Sequence, residues 1–234
     1  MTAVAFIFAR GGSKGLPGKN VLPFCGKPMI AWSIAHAQVV KRIERVIVST
    51  DDEAIAAVAR EHGAETPFLR PAELARDDSP EWLAWRHALM YLQDNGGLPD
   101  AMVSVPVTAP LREPADIERC LDVFETGDAD VVVTVSEAHR SPYFNMVKHN
   151  EDGTVGLVIP PAEKVVRRQD VPLVFDMATV AYVAAPRFVL AREAMFEGRV
   201  RAVSVPAERA IDIDTLLDFQ IAECLMKRRR HEHG

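Results

Sequence analysis

The chain of 234 residues carries 27 Lys and Arg against 33 Asp and Glu, a formal net charge of −6 that speaks against a general nucleic-acid-binding protein. At 48% hydrophobic and 26% charged residues it has the make-up of a soluble globular protein, sized for one large α/β domain rather than two small ones. No apolar run reaches membrane-spanning length, no leader pattern precedes the first strand, and Cys25, Cys120 and Cys224 share no ligand spacing. Reduced thiols, a cytoplasmic location and no membrane partner are therefore expected.

Residues 4–8 form an apolar run that reads as a buried parallel strand. Pro28 opens an apolar-periodic segment to Val40 that reads as a helix. Between them lies Ala9-Arg10-Gly11-Gly12-Ser13-Lys14-Gly15-Leu16-Pro17-Gly18-Lys19-Asn20. Its glycines permit tight turning, and its successive backbone N–H groups can form an anion-binding concavity. Arg10, Lys14 and Lys19 have no acid between them, which suits a polyphosphate better than a single carboxylate. The loop does not end Gly-Lys-Ser/Thr, and Gly11 and Gly12 are adjacent, so it is neither a P-loop nor a dinucleotide fingerprint.

Strand–helix alternation continues: a strand at 45–50, a helix capped by Asp51 or Asp52 to about His62, and a short strand at 66–69. Ser79 caps a helix with Pro80 in its first turn, running to about Asp94. A strand at 101–105, a helix from Pro114 to Phe124 and a strand at 131–135 follow. From 137 to 174 the rhythm breaks into a hairpin of strands 143–149 and 155–159 around Asn150-Glu151-Asp152-Gly153. The chain then returns with a strand at 179–184, a helix from Pro186 to about Phe196, a strand at 202–205 and a final helix at 215–227. The basic run Lys227 to Arg230 complements that helix's carboxyl end, after which the chain frays. Repeated units of this kind predict an α/β fold with a mostly parallel sheet covered on both faces.

A second constellation is Ala210-Ile211-Asp212-Ile213-Asp214-Thr215. Alternation on an extended segment turns Asp212 and Asp214 to one side and the isoleucines to the other. Two converging carboxylates are hard oxygen ligands for Mg²⁺, which binds through one or two of them plus substrate phosphates. Capping of the last helix accounts for one aspartate but not for both.

The loop from Ile7 to Asn20, together with Asp212-x-Asp214, resembles the acylneuraminate cytidylyltransferases, the CMP-sialic acid synthetase family. The resemblance spans nearly the whole chain. It implies a three-layer nucleotide-diphospho-sugar transferase-like, Rossmann-like fold, here residues 1–234 as one domain, with an inserted dimerisation arm at about 138–174 that reaches the neighbour's active site. It further implies a homodimer, CTP as nucleotide, Mg²⁺ on Asp212 and Asp214, and CTP phosphates held by Ala9, Arg10, Gly11, Gly12, Ser13, Lys14 and Asn20. Arg10, Lys14, Lys19 and Asp212 would carry the chemistry. Arg70 matches the arginine on the cytosine base, and an arginine can donate to an acceptor edge such as cytosine O2.

Val105-Pro106-Val107-Thr108-Ala109-Pro110-Leu111-Arg112 is similar to the family's Gln-Pro-Thr-Ser-Pro-Leu-Arg, making Thr108 and Arg112 substrate contacts. Pro106 departs from it by replacing a Gln on the sugar. Arg168 matches an arginine supplied by the arm. Asp176 stands where sialate enzymes place an arginine for the sugar carboxylate, and an aspartate repels a carboxylate. The expected reaction is CMP transfer from CTP to a 2-keto-3-deoxy sugar acid, an N-acylneuraminate or related nonulosonate, with release of pyrophosphate. The alternatives are another acidic acceptor (3-deoxy-manno-octulosonate or a phosphonate), a sugar-1-phosphate nucleotidyltransferase, or a non-catalytic nucleotide-binding regulator.

Overall fold

A computed structural model of the protein describes residues 1–12, 15–161 and 167–232. Chain order is β1 (Ala3–Phe8), β2 (Pro23–Phe24), β3 (Lys27–Pro28), α1 (Met29–Gln38), β4 (Ile43–Ser49), α2 (Glu53–Glu61), α3 (Glu81–Asp94), β5 (Ala101–Ser104) and α4 (Pro114–Glu125). It continues with β6 (Val131–Glu137), β7 (Val147–His149), β8 (Val155–Leu157), β9 (Phe175–Ala184), α5 (Pro186–Ala191), β10 (Val200–Ser204) and α6 (Leu216–Glu232).

Six strands form one sheet in the order β10-β6-β9-β5-β1-β4. β1 pairs in parallel with β4 and β5, and β10 with β6. β9 runs antiparallel between β5 and β6, because the excursion after β6 brings the chain back from the far end. The mostly parallel sheet is thus observed, with its one antiparallel strand in the interior. Residues of α1, α2, α4 and α6 bury one face of the sheet. Trp82, Trp85, Leu89 and Leu92 of α3, with Val189 of α5, bury the other. Both faces being covered, β1 and β5 have no solvent side to alternate toward, and they read as continuous apolar runs.

Local chemistry sets the ends of these elements. Asp52 caps α2, accepting from Ala54 N at 2.8 Å. Pro114 stands in the first turn of α4, and Glu113 and Asp116 form a capping box. The turn between β2 and β3, missed in the sequence, carries Cys25 at φ 48° and Gly26 at φ 92°. Positive φ at both central residues is what a two-residue hairpin of this hand requires.

Four expectations are corrected. Residues 66–69 form no strand: the ladder against β4 is one bridge at Glu65, after which Pro67 has no N–H to donate. Ser79 does not cap α3; Pro80 occupies the cap position and the Ser79 hydroxyl is buried without a hydrogen-bond partner among the described residues. α5 stops at Ala191, and the carbonyl of Arg192 accepts instead from Trp82 Nε1 at 2.7 Å. α6 runs on through the basic segment to Glu232 instead of fraying.

One irregularity shapes the functional end of the sheet. Val133 faces Tyr182 on β9, but the next residue, Thr134, faces Ala178. The intervening residues of β9 bulge out, and Thr134 Oγ1 holds the bulge by donating to Ala178 O at 2.7 Å and accepting from Ala181 N at 3.2 Å.

Candidate active site

At the carboxyl ends of β1 and β5 lies a cleft of about 480 Å³. Ligands in open α/β sheets bind at this end of the strands. β1 ends on Phe8, whose ring stacks on Trp85 at 6.2 Å, and the chain turns after Ala9, whose N–H reaches Ser49 O at 3.0 Å. The glycine loop then crosses the cleft. Gly18 takes φ 66°, a left-handed conformation that glycine adopts without cost, and starts the short turn holding Lys19 and Asn20. Asn20 is buried and donates through Nδ2 to Arg10 O at 2.8 Å, so it pins the loop on itself.

The two sequence motifs, some two hundred residues apart, meet here. Lys19 Nζ donates to Ile213 O at 3.1 Å and to Asp214 Oδ1 at 2.8 Å. A Cβ at Gly15 would lie 2.3 Å from Asp214 O, so only glycine allows the loop so close. Ile213 is buried, with its N–H on Thr108 O at 2.8 Å, and this alternation leaves Asp214 on the cleft. Asp212 Oδ1 is buried and has no hydrogen-bond partner among the described residues. The last helix is capped without either aspartate: Asp218 accepts from Thr215 N at 2.7 Å.

The loop's other polar groups are held by the chain's own acids. Arg10 pairs with Asp77 at 2.7 Å, and Gly11 N donates to Asp51 Oδ1 at 2.9 Å. Gly12 lines an adjoining hollow with Asp51, Arg76 and Asp77. Ser13 and Lys14 lie outside the described residues. The side opposite the loop carries Arg70, Ser79, Glu81, Pro106, Thr108, Thr179 and Tyr182. Arg70 is buried, gripping Ser49 through its carbonyl and hydroxyl.

Glu81, in the first turn of α3, opens onto this cleft and accepts from Trp85 Nε1 at 2.9 Å. Desolvation by the surrounding protein raises its carboxyl pKa, against the opposing pull of Trp85 and Arg70. Burial, with the charges of Glu81 and Asp212, pushes the Tyr182 hydroxyl up to about 12, so it stays protonated as a donor. No sequence signal distinguished Glu81, since an acid in the first turn of a helix already has an ordinary reason to be there. Tyr182 and Thr179 reach the cleft because of the β9 bulge, which leaves no trace in residue spacing.

Three of the expected substrate contacts lie outside this chain's own cleft. Arg112 is 1% exposed and does not line the cleft. Its guanidinium donates to Val180 O at 2.7 Å, Ser33 Oγ at 2.7 Å and Pro106 O, so it braces the cleft wall from behind. Burial lowers its pKa to about 9, against the support of Asp116 and Asp212. Arg168 donates to Ala138 O and lines a separate hollow in the arm. Asp176 is exposed on β9 opposite Ser136, also away from the cleft of its own chain. Thr108 stays in the cleft, its hydroxyl 3.5 Å from that of Thr179.

Comparisons with known proteins find similarity along nearly the whole chain. A family model described as "Cytidylyltransferase" matches residues 4–229. The chain is 34% identical over 224 residues to the post-translational flagellin modification protein B of Campylobacter coli, covering 95% of this chain and 94% of that protein. It is 33% identical over 221 residues to the CMP-N,N'-diacetyllegionaminic acid synthase of Campylobacter jejuni, covering 94% and 93%. It is 29% identical over 227 residues to a pseudaminic acid cytidylyltransferase of Campylobacter jejuni, covering 97% of each. Among solved structures, CMP:2-keto-3-deoxy-manno-octonic acid synthetase superposes with a TM-score of 0.72 at 20% identity, covering 98% of this chain and 100% of that one. The last likeness is one of fold.

Proposed function

The chain belongs to the cytidylyltransferase family, and on that premise we propose that it transfers CMP from CTP to a nonulosonic acid, a 2-keto-3-deoxy sugar acid of the sialic, legionaminic or pseudaminic type, releasing pyrophosphate. The observation that carries the reading is the seating of the glycine loop on the second aspartate, with Gly15 against Asp214 O and Lys19 on its carboxylate. Phosphate-binding cations and metal-binding oxygens then share one cleft.

In this reading a hydroxyl of the acid attacks the α-phosphorus of CTP. The new O–P bond forms as the bond to the β-phosphate oxygen breaks, the hydroxyl proton departs, and pyrophosphate leaves. Arg10, Lys19 and Lys14 neutralise the phosphates and the charge that grows on the leaving group. Their present partners, Asp77 for Arg10 and Asp214 for Lys19, hold both side chains extended over the cleft, ready to exchange a carboxylate for a phosphate. Arg70, Ser79 and Glu81 offer donors and an acceptor to a heterocyclic edge or to the polar groups of the acid. No side-chain nucleophile is required, since positioning and fixed charge supply the rate. The Cys25 thiol sits in the β2–β3 turn, raised in pKa by burial, and plays no part.

Magnesium fits the donor set: both candidate ligands are hard carboxylate oxygens, and Asp212 Oδ1 is buried without a hydrogen-bond partner among the described residues. Asp212 and Asp214 would hold it, and when bound it would polarise the α-phosphate and acidify the attacking hydroxyl.

We also propose a homodimer through the arm. Leu173, Phe175 and Met177, with Val147 and Val155 of β7 and β8, form an exposed apolar surface that a second copy would cover. Arg168 then belongs to the neighbour's cleft, as the arm resemblance implies. No helix among the described residues is long and apolar enough to cross a membrane; a cytoplasmic location is part of the proposal.

The test is pyrophosphate release with Mg²⁺ and each of the four NTPs, against legionaminic, pseudaminic, N-acetylneuraminic and 3-deoxy-manno-octulosonic acids. Release with CTP and one nonulosonate is expected. Release with CTP and only the octulosonate, or none with CTP already bound, contradicts the acceptor or the transfer respectively.

A further inference from the structure

The basic end of α6 has no place in the transfer reaction, yet it is built into the fold. Arg229 Nη1 donates to Leu111 O at 2.9 Å and Arg230 Nη1 to Cys25 O at 3.0 Å. These arginines wall a cavity of about 780 Å³ between α1, the start of α4 and α6. None of its lining residues is shared with the cleft.

The lining is chemically two-sided. Five arginines, Arg112, Arg209 and Arg228 to Arg230, line it together with two glutamates, Glu113 and Glu208. Buried Asp116 pairs with Arg209 at 3.0 Å, and arginines outnumber carboxylates along the cavity wall. Trp32, Leu225 and Met226 supply an apolar wall. His36 also lines the cavity; its Nδ1 is buried and has no hydrogen-bond partner among the described residues. Forked guanidiniums match phosphate oxygens, an aromatic and apolar wall accepts a ring, and the volume is that of an ordinary small-molecule site.

We propose that this cavity is a second anion site, one that takes an organic phosphate of nucleotide size. The phosphate meets the guanidiniums of α6 and His36 Nδ1, and the organic part lies along Trp32, Leu225 and Met226. Lys27 Nζ lies 3.9 Å from the centroid of the Trp32 ring and Arg230 Cζ 5.1 Å, adding to the attraction for an anion at that wall.

The three tryptophans provide the test, because their indole N–H groups report on different places. Trp32 Nε1 donates to Phe24 O beside this cavity, Trp85 Nε1 to Glu81 in the cleft, and Trp82 Nε1 to Arg192 O. The ¹⁵N-labelled protein is titrated with CMP, with pyrophosphate and with inorganic phosphate while the indole signals are followed. CMP should move the Trp32 signal along a saturation curve distinct from that of Trp85, and inorganic phosphate should need at least about tenfold more ligand. In the double variant Arg228→Glu, Arg230→Glu, the Trp32 midpoint should rise by about tenfold or more while the Trp85 curve stays put. A fold change in the variant would show as altered signals before any ligand is added; the single variant Arg228→Ser then replaces it, with a smaller rise expected. A Trp32 signal that ignores all three probes, follows the Trp85 curve, or responds equally in both proteins overturns the site. A response to pyrophosphate without one to CMP overturns the organic part. A silent Trp85 with a moving Trp32 would count against the transfer reading and leave this site standing.

Discussion

The sheet and the arm are stabilised in different ways. Strands β1 and β5 are buried along almost their whole length, and the helices on both faces close over them. Among the described residues of the arm, β7 and β8 pair only with each other, Val147 and Val155 are more than half exposed, and Leu173 is 67% exposed. A two-stranded hairpin has little stability of its own. The sheet is therefore specified by contacts inside the chain, and everything the sheet positions, including the cleft, inherits that rigidity. The arm leaves apolar side chains exposed, and in the proposed homodimer a second copy would cover them.

The contrast can be broken most forcefully at Arg112. Arg112→Ala removes three buried hydrogen bonds, leaves the carbonyls of Val180 and Pro106 without their donor and deletes a buried charge, so unfolding free energy should drop by about 3 to 5 kcal/mol in urea denaturation. A loss under 1 kcal/mol would remove Arg112 from the structural frame. Next comes Gly15→Ala, whose new methyl must push the loop off Asp214; about 1 to 3 kcal/mol of strain and about a hundredfold slower CMP transfer are expected. Unchanged kinetics there would mean that the loop and Asp214 need not touch.

A third test uses acid. Burial, with the charge of Arg112, lowers the His36 pKa to about 3. Between the ordinary value of 6.5 and about 3 the unfolded chain takes up a proton that the folded chain refuses, so stability falls as pH falls through this window. The contribution is about 1.4 kcal/mol per pH unit, and His36→Gln should flatten the acid limb by that slope. An identical slope in the variant would show His36 to be freely protonated. The smallest effect is expected in the arm: Leu173→Ser with Phe175→Ser should change the unfolding of the sheet by less than about 0.5 kcal/mol while shifting sedimentation toward monomer. Wholly dimeric behaviour in that variant would place the interface elsewhere.

How much the sequence revealed follows the same division. The strand–loop–helix opening and the Asp212–Asp214 pair were legible because glycine, cations and alternating carboxylates have few other reasons to occur in that order. Residues 66–69 misled because their apolar character suggested a strand, whereas Pro67 has no N–H with which to extend the ladder. Arg112 was not legible because a motif match does not reveal which way a side chain points; its donors are used on Val180, Ser33 and Pro106, which only the folded chain brings together. Glu81 and Tyr182 were silent for the same reason. Their place in the cleft is a product of tertiary packing, and their types suit a helix start and a strand equally well.

The central claim is that the cleft under the glycine loop performs CMP transfer with the help of Asp212. The most direct measurement is pyrophosphate release by Asp212→Asn, with CTP, Mg²⁺ and the best nonulosonate, beside a melting curve. Asparagine keeps the shape and removes the charge, so the account predicts turnover reduced by at least about a hundredfold with the melting temperature nearly unchanged. Turnover within a factor of two of the parent enzyme would contradict it.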